Sequence, residues 1–133
     1  MNIQEHVDYW LELAAHDIEA AESLFSSAKY DWCLFIGHLV VEKTLKAYFV
    51  YTNNSKIPPK THNLLKLAAK SNLSLTKEQE KLLDRVNDFN LEVRYPEYRR
   101  EFYKLCTRKF AYNYFTQIKE FSKWLTSQIE SKT

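Results

Sequence analysis

Glycine occurs once in the 133 residues, at Gly37, and proline only three times. A phosphate-cradling loop or a dinucleotide fingerprint needs several glycines, so neither can be built here. Scarce Gly and Pro also leave few turns, which favours long helices over many short strands. The two cysteines, Cys33 and Cys106, are too few for a disulfide framework or a four-cysteine zinc site. They are expected to be core thiols in a reducing compartment. No basic run followed by an apolar segment opens the chain, and no apolar stretch approaches the ~20 residues that span a bilayer. A cytoplasmic protein that does not enter the membrane is the expectation.

What is present is apolar and aromatic. With 45% hydrophobic and 15% aromatic residues, the chain can bury one core as a single domain over residues 1–133. The stretch Asp31–Tyr51 dominates it. On a helical wheel, Leu34, Val41, Leu45 and Tyr48 form one apolar stripe, Ile36, Val40, Ala47 and Tyr51 a second, and Phe35, Leu39 and Val50 nearly close the circle. A helix apolar on almost all sides is buried. Its polar exceptions, His38, Glu42 and Lys46, are spaced i, i+4, i+8 and share one face; Lys43 stands apart. Such a stripe is either a buried polar network that fixes register or the wall of a cleft.

The rest of the chain follows the same helical logic. Residues 2–27 keep a 3.6-residue apolar period from Ile3 to Phe25. The short connection Ser26–Tyr30 predicts an antiparallel neighbour, with Asp31 as the N-cap of the central helix. Pro58 and Pro59 forbid helix after it. Thr61 is expected to cap a short helix reaching Lys70, with His62 in its first turn. Thr76 and Gln79 form a capping-box pattern for a fourth helix. The segment from Asn90 to Arg100 breaks the pattern, and a short helix resumes from Pro96, a residue suited to a first helical position. Residues 107–130 form the last long helix. Three long helices and two or three shorter ones make an all-α, antiparallel bundle.

Charge is uneven along the chain. Residues 1–28 hold six acids and no Lys or Arg, whereas residues 94–123 hold eight bases against three acids. These are either solvated faces or, for the second, a patch for an anionic partner. RYPEYRR packs Arg94, Arg99, Arg100, Tyr95 and Tyr98 into seven positions. Guanidinium groups grip phosphates and tyrosines stack on bases, so the run suits RNA or a nucleotide; otherwise it is an exposed loop. His38 and Glu42 could offer two metal ligands, but His62 is the only obvious third, and no metal site is expected. No nucleophile–base constellation can be assembled from the sequence.

These pieces, taken in order, resemble the HEPN family, small helical proteins named for higher eukaryotes and prokaryotes nucleotide-binding. The resemblance rests on A-x-x-D (Ala14, Asp17), on E-K-x-x-K-A (Glu42, Lys43, Lys46, Ala47), on P-x-T-H-x-L (Pro59, Thr61, His62, Leu64) and on R-Y-P (Arg94, Tyr95, Pro96). It implies an up-and-down bundle of four to five helices that dimerises, with a cleft near the interface. It also implies a minimal nucleotidyltransferase as partner, as in toxin–antitoxin pairs, or metal-independent ribonuclease activity. The family's nuclease motif is an Arg followed four to six residues later by His. Arg94 matches that Arg, but Arg99, Arg100 and Glu101 occur near the His positions, and no His follows His62.

The leading expectation is therefore a homodimeric HEPN protein without a cofactor. It binds a nucleotide or RNA through His38, Glu42, Lys46, Arg94 and Tyr95, with His62, Arg99 and Arg100 as further contacts. Two rivals stand beside it. One is a ribonuclease toxin in which His38 or His62 replaces the missing histidine. The other is a non-catalytic interaction module whose polar stripe lies in a dimer interface, with Tyr9, Tyr103, Tyr112 and Trp124 as an apolar patch.

Overall fold

A computed structural model of the chain describes residues 2–131, with side chains through residue 129. Among these residues are six helices and no strand: α1 (Ile3–Ser26), α2 (Tyr30–Thr52), α3 (Leu64–Lys70), α4 (Lys77–Arg94), α5 (Pro96–Leu105) and α6 (Arg108–Ser131). The fold is an all-α bundle, as the periodicity indicates. The short helices α3 and α5 bring the count above four or five.

The helices alternate in direction. Asp17 of α1 pairs with Lys43 of α2, while His6 near the start of α1 bonds Ser55 just beyond the end of α2, so the two run antiparallel. Phe89 of α4 meets Phe110 of α6, and Leu82 lies beside Phe121, so these are antiparallel too. Gly37 faces Ile118 and Thr44 bonds Ser122, which sets α2 and α6 in the same sense. The turn between α1 and α2 is tight: Ala28 takes φ 60°, and Lys29 N–H reaches back to the Leu24 carbonyl at 2.8 Å. That left-handed step closes the end of α1.

One core runs through all six helices, and α2 is its axis. Cys33, Leu34, Val40, Val41, Leu45, Ala47 and Val50 are fully buried, each large one worth ~1.5–3 kcal/mol. Gly37 gives α6 a close approach: a Cβ there would stand 2.8 Å from Ile118 Cδ1, which would have to shift.

Three local expectations are corrected. Asp31 is not the N-cap of α2. The helix begins at Tyr30, the cap is Lys29, and Asp31 lies buried in the first turn. The cap of α3 is Asn63, whose side chain accepts from Lys66 N–H, so His62 precedes the helix. The choice is tertiary, because Leu64 N–H is held at 2.9 Å by Asn87 of α4. Finally, α4 does not break at Asn90. It runs to Arg94, because Asn90 and Val93 both face the interior, and the break waits for Tyr95, which Pro96 forces into extended geometry at φ −105°, ψ 121°.

Candidate functional site

The stripe His38–Glu42–Lys46 is buried and fully engaged. Glu42 is 5% exposed. Its Oε1 accepts from His62 Nδ1 at 2.7 Å and its Oε2 from Lys46 Nζ at 3.1 Å. Each carboxylate oxygen therefore has a charged or polar donor, which a buried carboxylate needs. Lys46 Nζ also lies 5.3 Å from the centroid of the Trp10 ring, a cation–π contact.

His38 has no exposed surface. Its Nε2 lies 2.9 Å from the His62 carbonyl oxygen, and its Nδ1 lies 3.5 Å from Asn90 Nδ2. A carbonyl only accepts and an amide nitrogen only donates, so Nε2 carries the proton and Nδ1 accepts. The Asn90 orientation is fixed independently, because Arg94 donates to its Oδ1 at 3.2 Å. The network thus specifies a neutral His38. Burial pushes its pKa below the ordinary value, outweighing the His62 carbonyl and the Glu42 charge that pull it up.

His62 is arranged oppositely. Its side chain is 60% exposed, while Nδ1 donates to Glu42. In the neutral ring that leaves a lone pair on Nε2, turned away from the carboxylate. A ring oriented by a buried carboxylate, with its second nitrogen open, can accept a proton or contact a ligand.

Five of the expected residues therefore join one chain of hydrogen bonds. It runs from exposed Arg94 through Asn90 to His38, across the His62 backbone, and through the His62 ring to Glu42 and Lys46. His38 lies inside, so it does not wall an open cleft. Tyr95, the joint between α4 and α5, is 43% exposed beside Arg94. Arg99 and Arg100 do not join this group. They line a separate hollow with Trp32 and Tyr103, where Arg99 lies 4.7 Å over the Trp32 ring.

The sequence reading missed Asn90, the amide that links Arg94 to His38. A signal was present: Asn90 is polar on the stripe of Val86, Phe89 and Val93, and it lies four residues before Arg94. The motif residues outside the site have structural partners. Ala14 packs at 3% exposure, and Asp17 holds Lys43. Among the described residues, no group of three or more His, Cys, Asp or Glu is disposed to hold a metal ion, and no helix is long and apolar enough to cross a membrane.

Comparison with curated proteins and with solved structures finds no match. The family model described as HEPN domain matches residues 7–129. That span takes in all four ordered motifs and the whole Arg94-to-Lys46 network, and the chain belongs to the HEPN family.

Proposed function

We propose that this HEPN protein binds a nucleotide or RNA where Arg94, Tyr95 and His62 reach the surface, and that it acts as a cytoplasmic homodimer. The observation that carries this reading is the hydrogen-bond chain itself. It is buried and neutral at His38, and it orients an exposed guanidinium at the Arg94 end and an exposed imidazole, His62, between His38 and Glu42. Arg94 grips a phosphate, Tyr95 stacks on a base or sugar, and His62 adds a hydrogen bond. His38, Glu42 and Lys46 stand behind these groups and position them. The protein works with a nucleotidyltransferase-type partner, in a toxin–antitoxin-like pairing.

Binding of labelled single-stranded RNA and of nucleotides, followed by anisotropy with EDTA present, tests this. Arg94→Ala loses about 1.5 kcal/mol or more of charge-assisted hydrogen bonding, at least tenfold in affinity, with the helical spectrum unchanged. Unaltered affinity in that variant removes Arg94 from the site. Mass measured in solution tests the homodimer.

A second reading is favoured by one observation, the Glu42–His62 pair. In a metal-independent endoribonuclease, His62 Nε2 would take the 2′-hydroxyl proton and Arg94 would stabilise the charge on phosphorus. His38 has no free nitrogen for this role. RNA cleavage in EDTA, abolished by His62→Ala and by Arg94→Ala, would establish it. Binding without cleavage supports the first reading.

A further inference from the structure

A second polar surface lies where the start of α2 meets α5. Asp31, Trp32, Arg99, Arg100 and Tyr103 line a hollow of about 450 Å³, within the ~300–1,000 Å³ of small-ligand pockets. Asp31 is the most buried of them, at 6% exposure. No hydrogen bond or ion pair from the described residues engages its carboxylate. Its oxygens are not among the fully enclosed polar atoms that lack a partner, so they open into the hollow. The position in the first turn of α2 favours the charged carboxylate through the helix dipole. Two acceptor oxygens therefore stand ready for donors that the protein does not supply.

The other walls narrow the chemistry of the ligand. Arg99 Cζ lies 4.7 Å over the centre of the Trp32 ring, a cation–π contact that makes a cationic platform. Tyr103 is 66% exposed, and Arg100 is exposed beside it. A bare anion would leave the Asp31 oxygens without donors, and a bare cation would be repelled by Lys29, Arg99 and Arg100, which line the same hollow. A planar ring with two adjacent N–H donors on one edge and a negative group elsewhere satisfies all of them. Among the common bases only guanine has that edge, N1–H beside the N2 amino group; adenine, cytosine and uracil alternate donors and acceptors.

We propose that this hollow is a guanine-selective base pocket. Asp31 accepts from N1–H and N2–H, the Arg99–Trp32 layer stacks on the ring, and Arg100 pairs with the attached phosphate. The inference rests on the nucleotide- or RNA-binding reading and adds to it a base pocket separate from the Arg94 group. The guanine may come from a free nucleotide or from a residue of single-stranded RNA.

Titration calorimetry with GMP, AMP, CMP and UMP, on wild type, Asp31→Asn and Arg99→Gln, tests it. GMP is expected to bind at least tenfold tighter than the other three. Asp31→Asn keeps the shape but turns a donor toward guanine, and it abolishes the preference. Arg99→Gln, on the exposed side of α5, weakens all four ligands alike and serves if Asp31→Asn does not fold. Competition of bound GMP by a guanine-containing oligoribonucleotide, and not by one lacking guanine, assigns the site to RNA; failure of both to compete assigns it to the free nucleotide. Equal affinity for the four nucleotides, or a preference that survives Asp31→Asn, overturns the pocket and leaves the binding reading standing. Absence of binding to any nucleotide or oligonucleotide overturns both.

Discussion

Removing Glu42 should cost far more than its own contacts, because it strands what it holds. In Glu42→Ala the Lys46 ammonium, whose side chain is 11% exposed, loses the carboxylate 3.1 Å away. Breaking a buried pair from one side costs ~3–5 kcal/mol. The Trp10 ring at 5.3 Å continues to stabilise the cation by ~1 kcal/mol, so the lower end applies, about 3 kcal/mol. For a domain of this size each kcal/mol moves the melting midpoint by roughly 3–4 °C, giving a fall of about 10 °C by calorimetry. The decisive variant is double: Glu42→Leu with Lys46→Met removes both charges and fills the space. It should recover most of the loss, since replacing a whole buried pair by apolar groups is nearly neutral. A double-mutant cycle reads the coupling directly. If the two substitutions add, or if Glu42→Ala shifts the midpoint by less than about 2 °C, the network does not hold the bundle in the way described. The same variants separate stability from function: the double variant is stable, yet its His62 ring is no longer held, so ligand affinity stays low.

Three further outcomes follow from the interior. His38 is held neutral with its pKa below the ordinary value of 6.5, so the unfolded chain takes up a proton that the folded one refuses. Stability is unaffected above that value and falls as pH drops through it; denaturant titrations at pH 7.5 and 5 should show the fall, and His38→Gln should flatten its share. Gly37→Ala gains about 1 kcal/mol of helix propensity but drives a methyl to 2.8 Å from Ile118 Cδ1, an overpacking cost of ~1–3 kcal/mol. It should destabilise the wild type and stabilise an Ile118→Val background, where that methyl is gone, and melting curves of the four proteins check the sign reversal. Burial raises the thiols of Cys33 and Cys106 to about 12, so alkylation at pH 8 should modify neither until denaturant is added, as mass spectrometry would show.

The bundle was legible because its signals are local and agree with one another. The buried character of α2, the capping box at Thr76 and the helix start at Pro96 each depend on residues within one turn or one face. The errors arose where two local signals competed and a distant contact decided. Thr61 and Asn63 are both good caps, and Asn87 of α4 settled the matter. Asp31 has the chemistry of a cap, but its place against α5 put it inside. Asn90 read as the start of a broken segment because polar residues dominate its neighbourhood in sequence; its partner, His38, lies 52 residues away. The stripe itself was visible, and its geometry was not. Helical spacing places three side chains on one line, but only the packed loop before α3 shows that His62, through both its backbone and its ring, closes the network.

The attachment of α5 has a dynamic consequence. Of its ten residues only Phe102 is buried, and a single extended residue, Tyr95, joins it to α4. Such an element has its own opening equilibrium, shallower than global unfolding, because little apolar surface is exposed when it lifts. Amide hydrogen exchange should divide the chain accordingly, with α5 exchanging orders of magnitude faster than the centre of α2. Arg99, Arg100 and Tyr103 ride on that element. A ligand that bridges α5 to Asp31 would slow exchange along the whole helix, so occupancy of the hollow would be recorded in the backbone of residues 96–105 even where the ligand touches no backbone atom.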